Sequence, residues 1–360
     1  MTRAIGVISG TSMDGIDVSL LDGDGETITS VGPGGTYDYP SGVAARLREV
    51  VADPELARSP LAELERHVTD SHVAAVETFL VDHGIGRGSV ALVGLHGQTV
   101  LHRPGERFTR QLCDGGRATA RLGIDVVCDF RSADVAAGGE GAPLAPLYHA
   151  AIAAKLERPL MFLNWGGVGN VTYLGADGEI IAFDTGPANA PIDDFVRRRR
   201  GYSHDQNGAL AASGRVRQDM LAAWMEDPYF ARPAPKSLDR NHFRALVGEA
   251  DSLSDADGAA TLAAFTVEAT AAALHHVPDA PKRWLVCGGG RKNDTLMHRL
   301  SARLGVRAEP VEAIGENGDY LEAACFAHLA LRSRRGLPLS LPTTTGAPAP
   351  MIGGVFWRRP

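Results

Sequence analysis

One aspartate at the end of an apolar run has the surroundings expected of a general base. Asp184 follows the apolar residues 180–183 and begins an Asp-Thr-Gly sequence. A carboxylate held at a strand end beside backbone donors is suited to taking a proton; alternatively, Asp184 forms an Asx turn or caps the helix expected after Pro191. Aspartic proteases also contain Asp-Thr-Gly, but they need two such carboxylates that share a proton, and this chain has one such motif.

A glycine-bearing turn near the start of the chain has the composition of an anion-binding site. Residues 10–15 read Gly-Thr-Ser-Met-Asp-Gly between two apolar runs. Glycine lets backbone N–H groups approach an anion closely, and the hydroxyls of Thr11 and Ser12 are further donors. Asp14 suits such a turn if Mg²⁺, usually through water, lies between its carboxylate and a phosphate. The segment predicts a phosphate-binding turn, with a polar hairpin turn as the alternative.

Two further glycine segments follow apolar runs in the same way. Residues 166–170 read Gly-Gly-Val-Gly-Asn between two apolar runs, and the three glycines 288–290 lead into a helix near Asn293. The two strand–turn–strand segments lie about 155 residues apart and share no clear sequence, which indicates a structural repeat at most. Together the three segments predict a nucleotide whose phosphates and adenosine are held from opposite lobes.

Strands and helices that alternate along the chain must position these residues. Apolar runs predict strands near 5–8, 16–21, 160–164, 171–174, 180–183 and 284–287, and helical patterns cover 41–51, 60–82, 143–156, 209–226, 258–276, 294–304 and 319–334. This alternation is typical of α/β architecture. At 360 residues the chain is long enough for two or three domains. The predicted lobes are 1–131, joined by the tail from about 346 to 360, and 132–345.

Composition excludes several classes of protein. Lys+Arg minus Asp+Glu is 36 − 43 = −7, and a net negative surface disfavours nucleic acid as a partner. The four consecutive arginines 197–200 are therefore interpreted as a solvated helix face. No run of 18 apolar residues and no signal-peptide pattern occurs, so we expect no membrane span and a cytoplasmic protein. The four cysteines form no CxxC pair, which argues against a zinc site and a disulfide framework.

Several common catalytic signatures are missing. The chain contains no P-loop, no GxGxxG between a strand and a helix, no HExxH and no GxSxG. P-loop enzymes, metalloproteases and α/β-hydrolases are thereby disfavoured.

An ordered series of motifs resembles the anhydro-N-acetylmuramic acid kinases. The segment from Gly10 to Asp17 looks like the GTSxDGxD signature of that family. Further matching segments run in order to residue 347 and cover essentially the whole chain: 94–99, 129–134, 138–144, 183–187, 235–237, 288–293 with Leu296 and Met297, Glu322 and Ala323 with Phe326 and Ala327, and 345–347.

The resemblance implies a fold, a reaction and an assembly. The family belongs to the sugar kinase/Hsp70/actin superfamily, so an actin/hexokinase-like α/β fold is expected, with ATP in a cleft between two lobes of similar topology. Its members are generally homodimers that act during cell-wall recycling. They hydrolyse the internal bridge of 1,6-anhydro-N-acetylmuramic acid and phosphorylate O6, giving N-acetylmuramic acid 6-phosphate and ADP.

The resemblance also implies roles for individual residues. Asp184 would be the catalytic base, and Asp14 would lie near Mg²⁺. Contacts with the sugar would come from Arg131, paired with its lactyl carboxylate, and from Glu322, which orients water or a ring hydroxyl; an ion pair between domains and a helix-start charge are the respective alternatives. ATP would contact Gly10, Thr11, Ser12, Met13, Asp14, Gly15, Ile16, Asp17, Gly166, Gly167, Asn170, Gly288, Gly289, Gly290 and Asn293. His96 and Gln98 are further sugar candidates; His96 could equally be a core residue hydrogen-bonded at a strand end.

The sequence departs from the family pattern at four positions. Glu140 replaces a usual Gln, Ala188 a usual Gly, Trp165 a small aliphatic residue, and Pro191 interrupts a Met/Leu stretch. A carboxylate only accepts hydrogen bonds where an amide also donates, so Glu140 concerns the sugar rather than the reaction type. Two rivals remain: a levoglucosan-type kinase acting on a 1,6-anhydro sugar without lactyl and acetamido groups, and a non-catalytic nucleotide-binding regulator.

Overall fold

The computed structural model describes residues 1–10, 13, 15–239 and 241–360, and it divides into two compact units. Unit 1 is Met1–Ala154 with Tyr320–Pro360, and unit 2 is Lys155–Asp319. The divisions lie after residues 154 and 319, whereas the sequence predicts them after residues 131 and 345. They differ because the helix that follows Tyr320 packs against the first sheet and so joins the first unit.

Each unit is built of strands and helices in alternation. The strands are β1 (Thr2–Ser9), β2 (Ile16–Gly23), β3 (Ile28–Tyr37), β4 (Leu92–Arg103), β5 (Phe108–Leu112), β6 (Asp125–Cys128), β7 (Leu160–Trp165), β8 (Val168–Leu174), β9 (Ile180–Pro187), β10 (Arg283–Cys287), β11 (Ala308–Pro310) and β12 (Val355–Trp357). The α-helices are α1 (Ser41–Ala52), α2 (Pro54–Arg58), α3 (Ala62–Asp82), α4 (Gly115–Leu122), α5 (Ser132–Ala137), α6 (Pro146–Ile152), α7 (Asn189–Arg200), α8 (Ala209–Ser213), α9 (Gln218–Met225), α10 (Arg244–Glu249), α11 (Asp255–Ala271), α12 (Asp294–Leu304), α13 (Leu321–Arg334) and α14 (Pro342–Thr345). Short 3₁₀ helices lie at Arg87–Ser89, Pro104–Glu106, Gln206–Gly208, Pro228–Ala231, Ala250–Ser252, Ala272–His276, Gly289–Lys292 and Val311–Ile314.

The two sheets share one topology. In unit 1 the strand order is β12-β6-β4-β1-β2-β3, with β5 also paired to β4; β1, β4 and β6 are parallel, while β2 and β3 are antiparallel to their neighbours. In unit 2 the order is β11-β10-β7-β8-β9, and β7, β10 and β11 are parallel while β8 and β9 run antiparallel. The expected α/β fold with two lobes of similar topology is confirmed.

Helix α13 packs on the first sheet at two glycines. A Cβ atom at Gly6 would lie 1.8 Å from the carbonyl oxygen of Ala323, and one at Gly94 would lie 2.3 Å from that of Phe326. Both glycines sit on neighbouring parallel strands, where Gly6 pairs with Gly94. Because no side chain separates helix from strands here, the beginning of α13, which carries Glu322, is held directly against β1 and β4.

Replacing Gly6 tests this close approach. We expect Gly6→Ala to lower the free energy of unfolding by at least about 3 kcal/mol, because the new methyl group overlaps helix backbone that cannot move as a side chain would. Gly42→Ala is the matched control, since nothing lies within 4 Å of the Cβ position of that helical glycine. The control is expected to change stability by less than about 1 kcal/mol. Urea unfolding of both variants measures the difference, and equal stabilities would contradict the packing.

Two predicted helices differ in the structure, and several strands were not predicted. The single helix predicted over 209–226 is wrong: α8 and α9 are separated at Gly214, whose extended backbone passes so close to α11 that a Cβ would lie 2.0 Å from the carbonyl oxygen of Ala256. The helix predicted over 143–156 is shorter, at Pro146–Ile152. The predicted strands do not include β3, β4, β5, β6, β11 and β12. In β3, the residues Gly32, Pro33, Gly34 and Gly35 give a low strand propensity.

Two surface features follow from the composition. Each of the arginines 197–200 forms an ion pair with one of the aspartates Asp194, Asp251 and Asp255, so the run is an ion-paired face at the end of α7. Among the helices of the described ranges, none has both the length and the apolar character that crossing a membrane requires.

Candidate active site

A row of polar residues crosses three strands of unit 2 and includes Asp184. Asn164 on β7 pairs with Asn170 on β8, and Asn170 pairs with Asp184 on β9. Residues paired directly across neighbouring strands present their side chains on the same face of a sheet. The structure therefore brings the predicted base and the predicted phosphate contact Asn170 together, and it adds Asn164, which the sequence analysis missed.

Three hydrogen bonds from one segment hold Asp184. Its backbone N–H donates to the carbonyl oxygen of Lys236 (2.9 Å), its own carbonyl oxygen accepts from the hydroxyl of Tyr229 (2.6 Å), and its carboxylate Oδ2 accepts from the N–H of Leu238 (2.8 Å). The side chain is half-buried. Asp184 lies within β9, and the N-cap position of α7 is Ala188, so the carboxylate does not cap the following helix. The geometry favours the base over the capping alternative.

The second glycine turn is tied to the start of α7. The carbonyl oxygen of Gly166 accepts from the N–H of Asn189 (3.0 Å), and that of Gly167 accepts from Ala188 (3.0 Å) and Ala190 (3.2 Å). The side-chain amide of Asn189 also donates to the carbonyl oxygen of Trp165 (2.8 Å). These bonds fix the backbone of the turn directly beside the polar row.

Trp165 connects this turn to the three glycines after β10. A Cβ at Gly288, whose φ is +71°, would lie 2.3 Å from Oδ1 of Asn164, and one at Gly290 would lie 2.5 Å from Cβ of Trp165. Only glycine allows this approach, because the left-handed backbone and the close neighbour both disfavour a side chain. Trp165 is fully buried and donates from Nε1 to Thr270 (2.9 Å). The structure thus brings 166–167 and 288–290 together in unit 2.

Asn293 has a structural contact of its own. Its side-chain oxygen accepts the N–H of Leu296 (3.0 Å) and so caps α12. A nucleotide contact at this residue would therefore use the amide nitrogen or the backbone.

In unit 1 the first glycine turn joins β1 to β2, which pair from Ile8 opposite Asp17. Thr11, Ser12 and Asp14, the predicted hydroxyl and Mg²⁺ contacts, lie outside the described residues. The side chains of Met13 and Ile16 are buried in the core of the unit, so these two predicted ligand contacts are limited to the backbone. The carboxylate of Asp17 accepts from the hydroxyl of Thr36 (2.7 Å).

Gln98 forms a hydrogen bond to the start of this turn. Its side chain is fully buried, donating from Nε2 to the carbonyl oxygen of Gly10 (3.2 Å) and accepting at Oε1 from the hydroxyl of Tyr39 (3.2 Å). The same hydroxyl lies 2.7 Å from Nε2 of His72. Burial raises the pKa of Tyr39 and lowers the pKa of His72 to about 4. The side chain of Gln98 thus contacts the start of the first glycine turn, and its sugar contact stays a prediction.

His96, within β4, and Arg131, which follows β6, form a hydrogen-bonded pair. His96 is 4% exposed; Nδ1 lies 2.9 Å from the carbonyl oxygen of Gly97, and Nε2 accepts from Nε of Arg131 (3.0 Å). Burial, with a smaller effect of the Arg131 cation, holds the pKa of His96 well below its ordinary value. Neutral His96 therefore orients the guanidinium.

Arg131 is held on two sides and retains donors. Besides Nε, its Nη1 donates to the carbonyl oxygen of Gly141 (2.7 Å), while Nη2 has no hydrogen bond among the described residues. Burial lowers the pKa of Arg131, and the charge of Glu322 acts in the opposite direction. The predicted sugar residues His96, Arg131 and Glu322 are thus brought together within unit 1.

The segment carrying Glu140 is anchored by a buried aspartate. Asp134 is 2% exposed and accepts from the N–H of Gly141 (2.7 Å) and from the hydroxyl of Thr345 (2.7 Å). The N–H of Glu140 donates to the carbonyl oxygen of Thr345 (2.7 Å). These bonds fix Glu140, which departs from the family pattern, next to Gly141, whose carbonyl oxygen accepts from Arg131.

Two sheets of one topology, each with a glycine turn between its first antiparallel strands, define an α/β protein of the actin/hexokinase-like class. A family model described as anhydro-N-acetylmuramic acid kinase matches residues 2–358. The proteins of that name from Rhodospirillum rubrum and Paramagnetospirillum magneticum are 51% and 50% identical to this chain over 98% of its length, covering 94% and 98% of theirs. The chain belongs to the anhydro-N-acetylmuramic acid kinase family, and it is a kinase.

Solved structures match at much lower similarity. A ROK family glucokinase from Streptomyces griseus, in complex with glucose and AMPPNP, has a TM-score of 0.37 and 13% identity over 93% of this chain and 100% of that chain. These values are too low to locate a ligand in this protein.

Proposed function

We propose that this kinase hydrolyses the 1,6-anhydro bridge of 1,6-anhydro-N-acetylmuramic acid and phosphorylates O6 with ATP, giving N-acetylmuramic acid 6-phosphate and ADP. The observation that carries the proposal is the position of Asp184 beside Asn170: the N–H of Leu238 donates to its carboxylate, and bonds with Tyr229 and Lys236 fix its main chain. The names of the relatives support the substrate. We further propose that the protein acts in cell-wall recycling, in the cytoplasm, as a homodimer.

Asp184 is the proton acceptor of the proposed reaction. It takes a proton from water as the water oxygen attacks the anomeric carbon, and the bond from that carbon to the bridge oxygen breaks. The released oxygen, now O6, attacks the γ-phosphorus of ATP, and ADP leaves. Positioning and charge neutralisation dominate phosphoryl transfer, which is consistent with a site built mostly from backbone and amides.

The glycine segments are the proposed nucleotide contacts. Residues 10–15 in unit 1 and Gly166, Gly167 and Asn170 in unit 2 would bind the phosphates, and 288–290 the adenosine. Mg²⁺ would neutralise phosphate charge, with Asp14 holding it through water. Mg²⁺ keeps several of its waters and binds through one or two carboxylates together with phosphate oxygens, which suits the single carboxylate of Asp14.

Arg131 is the proposed partner of the lactyl carboxylate. Its guanidinium is fixed by His96 and Gly141 and keeps Nη2 for a ligand, and a fork of donors matches a carboxylate. Glu322, which lies close enough to act on the charge of Arg131, would orient water or a ring hydroxyl. This cation favours the lactyl-bearing sugar over levoglucosan, which offers no anion.

Product analysis tests the reaction. Incubation with 1,6-anhydro-N-acetylmuramic acid, ATP and Mg²⁺ is expected to give one new phosphorus NMR signal coupled to the two protons on C6, with ADP formed in equal amount. Levoglucosan is the parallel substrate. Faster turnover of levoglucosan would replace the proposal with the other anhydro-sugar kinase. Calorimetric binding of ATP without turnover of either sugar would instead indicate a nucleotide-binding regulator.

Removing the guanidinium tests the sugar contact. We expect Arg131→Met to raise KM for 1,6-anhydro-N-acetylmuramic acid by about 10- to 100-fold, because a hydrogen bond to a charged group is lost. KM for ATP, measured in the same steady-state assay, is expected to stay within about 3-fold and serves as the internal control. An unchanged KM for the sugar would remove Arg131 from the binding site.

A further inference from the structure

A buried lysine closes the segment that holds Asp184. Lys236 is 6% exposed, and its Nζ donates to the carbonyl oxygens of Tyr229 (3.1 Å) and Phe230 (3.2 Å). These bonds join the two ends of the loop 229–236. The same loop supplies contacts to Asp184: the hydroxyl of Tyr229 and the backbone of Lys236 bond its main chain.

The surroundings of the ammonium group explain why it stays in place. The ring of Tyr229 lies 4.7 Å and that of Phe183 5.8 Å from Nζ, and aromatic faces attract a cation. Phe183 immediately precedes Asp184, so the lysine touches both the loop and the strand that carries the carboxylate. A buried ammonium is costly unless its donors are satisfied; the two carbonyl oxygens accept from two of its three N–H groups.

We propose that Lys236 is a positioning residue for Asp184: by joining Tyr229 and Phe230 to its own backbone, it keeps the loop 229–238 in the one conformation that orients the carboxylate toward water. The inference rests on the proposed function, because it assumes that Asp184 is the base.

The charged and titratable groups around Lys236 set its pH response. Burial, with a smaller effect of the Arg232 cation, lowers the pKa of Lys236 to about 8. His276 Nε2 lies 3.1 Å from Nζ, and burial lowers the pKa of His276, so the imidazole is neutral when the lysine is charged. Tyr229, beneath the ammonium, has its pKa raised by burial and by Asp184. In the range between pH 7 and pH 9, the lysine is therefore the group of this cluster that changes charge.

Loss of the proton weakens the loop. The folded-state pKa is below the ordinary value of a lysine, so the ammonium is present at pH 7 and is lost as the pH rises through about 8. A neutral amine binds carbonyl oxygens and aromatic faces less strongly than an ammonium. We expect kcat of the wild-type enzyme to fall above about pH 8, toward the rate of a variant that lacks the charge.

A double-mutant cycle distinguishes positioning from general support of the fold. Lys236→Met is expected to lower kcat about 10- to 100-fold at pH 7, since a small misplacement of a catalytic group has effects of that size, with KM for ATP and sugar within about 3-fold. In the Asp184→Asn background the same change should have no further effect, because Lys236 acts through the carboxylate. Lys282→Met, at an exposed lysine paired with Glu157, is the matched control.

A second variant tests the positioning role even if Lys236→Met fails to fold. Tyr229→Phe keeps the ring and the carbonyl oxygen that Lys236 contacts and removes only the hydrogen bond to Asp184; we expect kcat to fall about 3- to 10-fold and this loss also to vanish in Asp184→Asn. Wild-type kcat in Lys236→Met, or losses that multiply with that of Asp184→Asn, would overturn the positioning role. Full activity of Asp184→Asn would instead overturn the proposed function.

Discussion

Replacement of Asp184 by asparagine is expected to lower kcat at least about 10³-fold. A general base contributes about 10²- to 10⁴-fold, and in the proposed reaction this base also activates the only nucleophile. Asparagine keeps the shape of the side chain and an oxygen that can accept from Leu238, as Oδ2 of the aspartate does. The loss should therefore appear in turnover, measured as ADP release with saturating ATP and sugar.

Stability separates this role from a structural one. The two main-chain bonds of Asp184, with Tyr229 and Lys236, do not involve the carboxylate, so the melting temperature of Asp184→Asn is expected to stay within a few degrees of the wild type. Asp177→Asn, in the exposed turn between β8 and β9, is the control and should retain activity. A variant that keeps most of its turnover would exclude Asp184 as the base, and a large fall in melting temperature would return it to a structural role.

The fold could be predicted largely because its local signals agree. Apolar runs that end in glycine turns gave both hairpins, β1 with β2 and β7 with β8, and the alternation of strands and helices gave the α/β class. The failures lie where distant packing decides: β3 pairs with β2 despite its glycines, and Gly214 breaks a helical pattern because α11 passes beside it. Neither the pairing of β3 with β2 nor the position of α11 beside Gly214 can be predicted from residues adjacent in sequence.

The candidate site likewise contains residues that local sequence identifies and residues that only the fold identifies. Asp184 and the glycine segments stand out because each ends an apolar run. Asn164 also follows an apolar run, but its amide becomes significant only when β7 and β8 align it with Asn170. The hydrogen bonds to Asp184 from Tyr229 and Leu238 join residues 45 and 54 positions apart in sequence, so local sequence patterns do not predict them. The motif predicted a sugar contact for Gln98, whereas its hydrogen bond to Gly10 becomes visible only in the fold.

Acid is expected to unfold this protein at a pH well above that needed to protonate its carboxylates. Burial lowers the pKa of four histidines to about 3 or about 4, and that of His96 is also well below its ordinary value: the four are His72, His102, His149 and His328. An unfolded chain binds a proton at each near pH 6.5, but the folded chain does not. Stability is therefore fully present above about pH 6.5 and falls as the pH drops toward the folded-state values.

The size of the effect follows from counting these groups. Each histidine removes roughly 2 kcal/mol between pH 7 and pH 5, so five remove on the order of 5–10 kcal/mol, comparable with the whole stability of a domain. Urea unfolding at pH 7, 6 and 5 should show the midpoint falling steeply. His328 is fully buried, and neither ring nitrogen has a hydrogen-bond partner in the part of the chain that the structure describes. His328→Leu should therefore flatten the pH dependence by about 1.4 kcal/mol per pH unit. If His328→Leu keeps the wild-type pH dependence, His328 takes up a proton in the folded protein. If the urea midpoint of the wild type does not move between pH 7 and pH 5, the same holds for all five histidines.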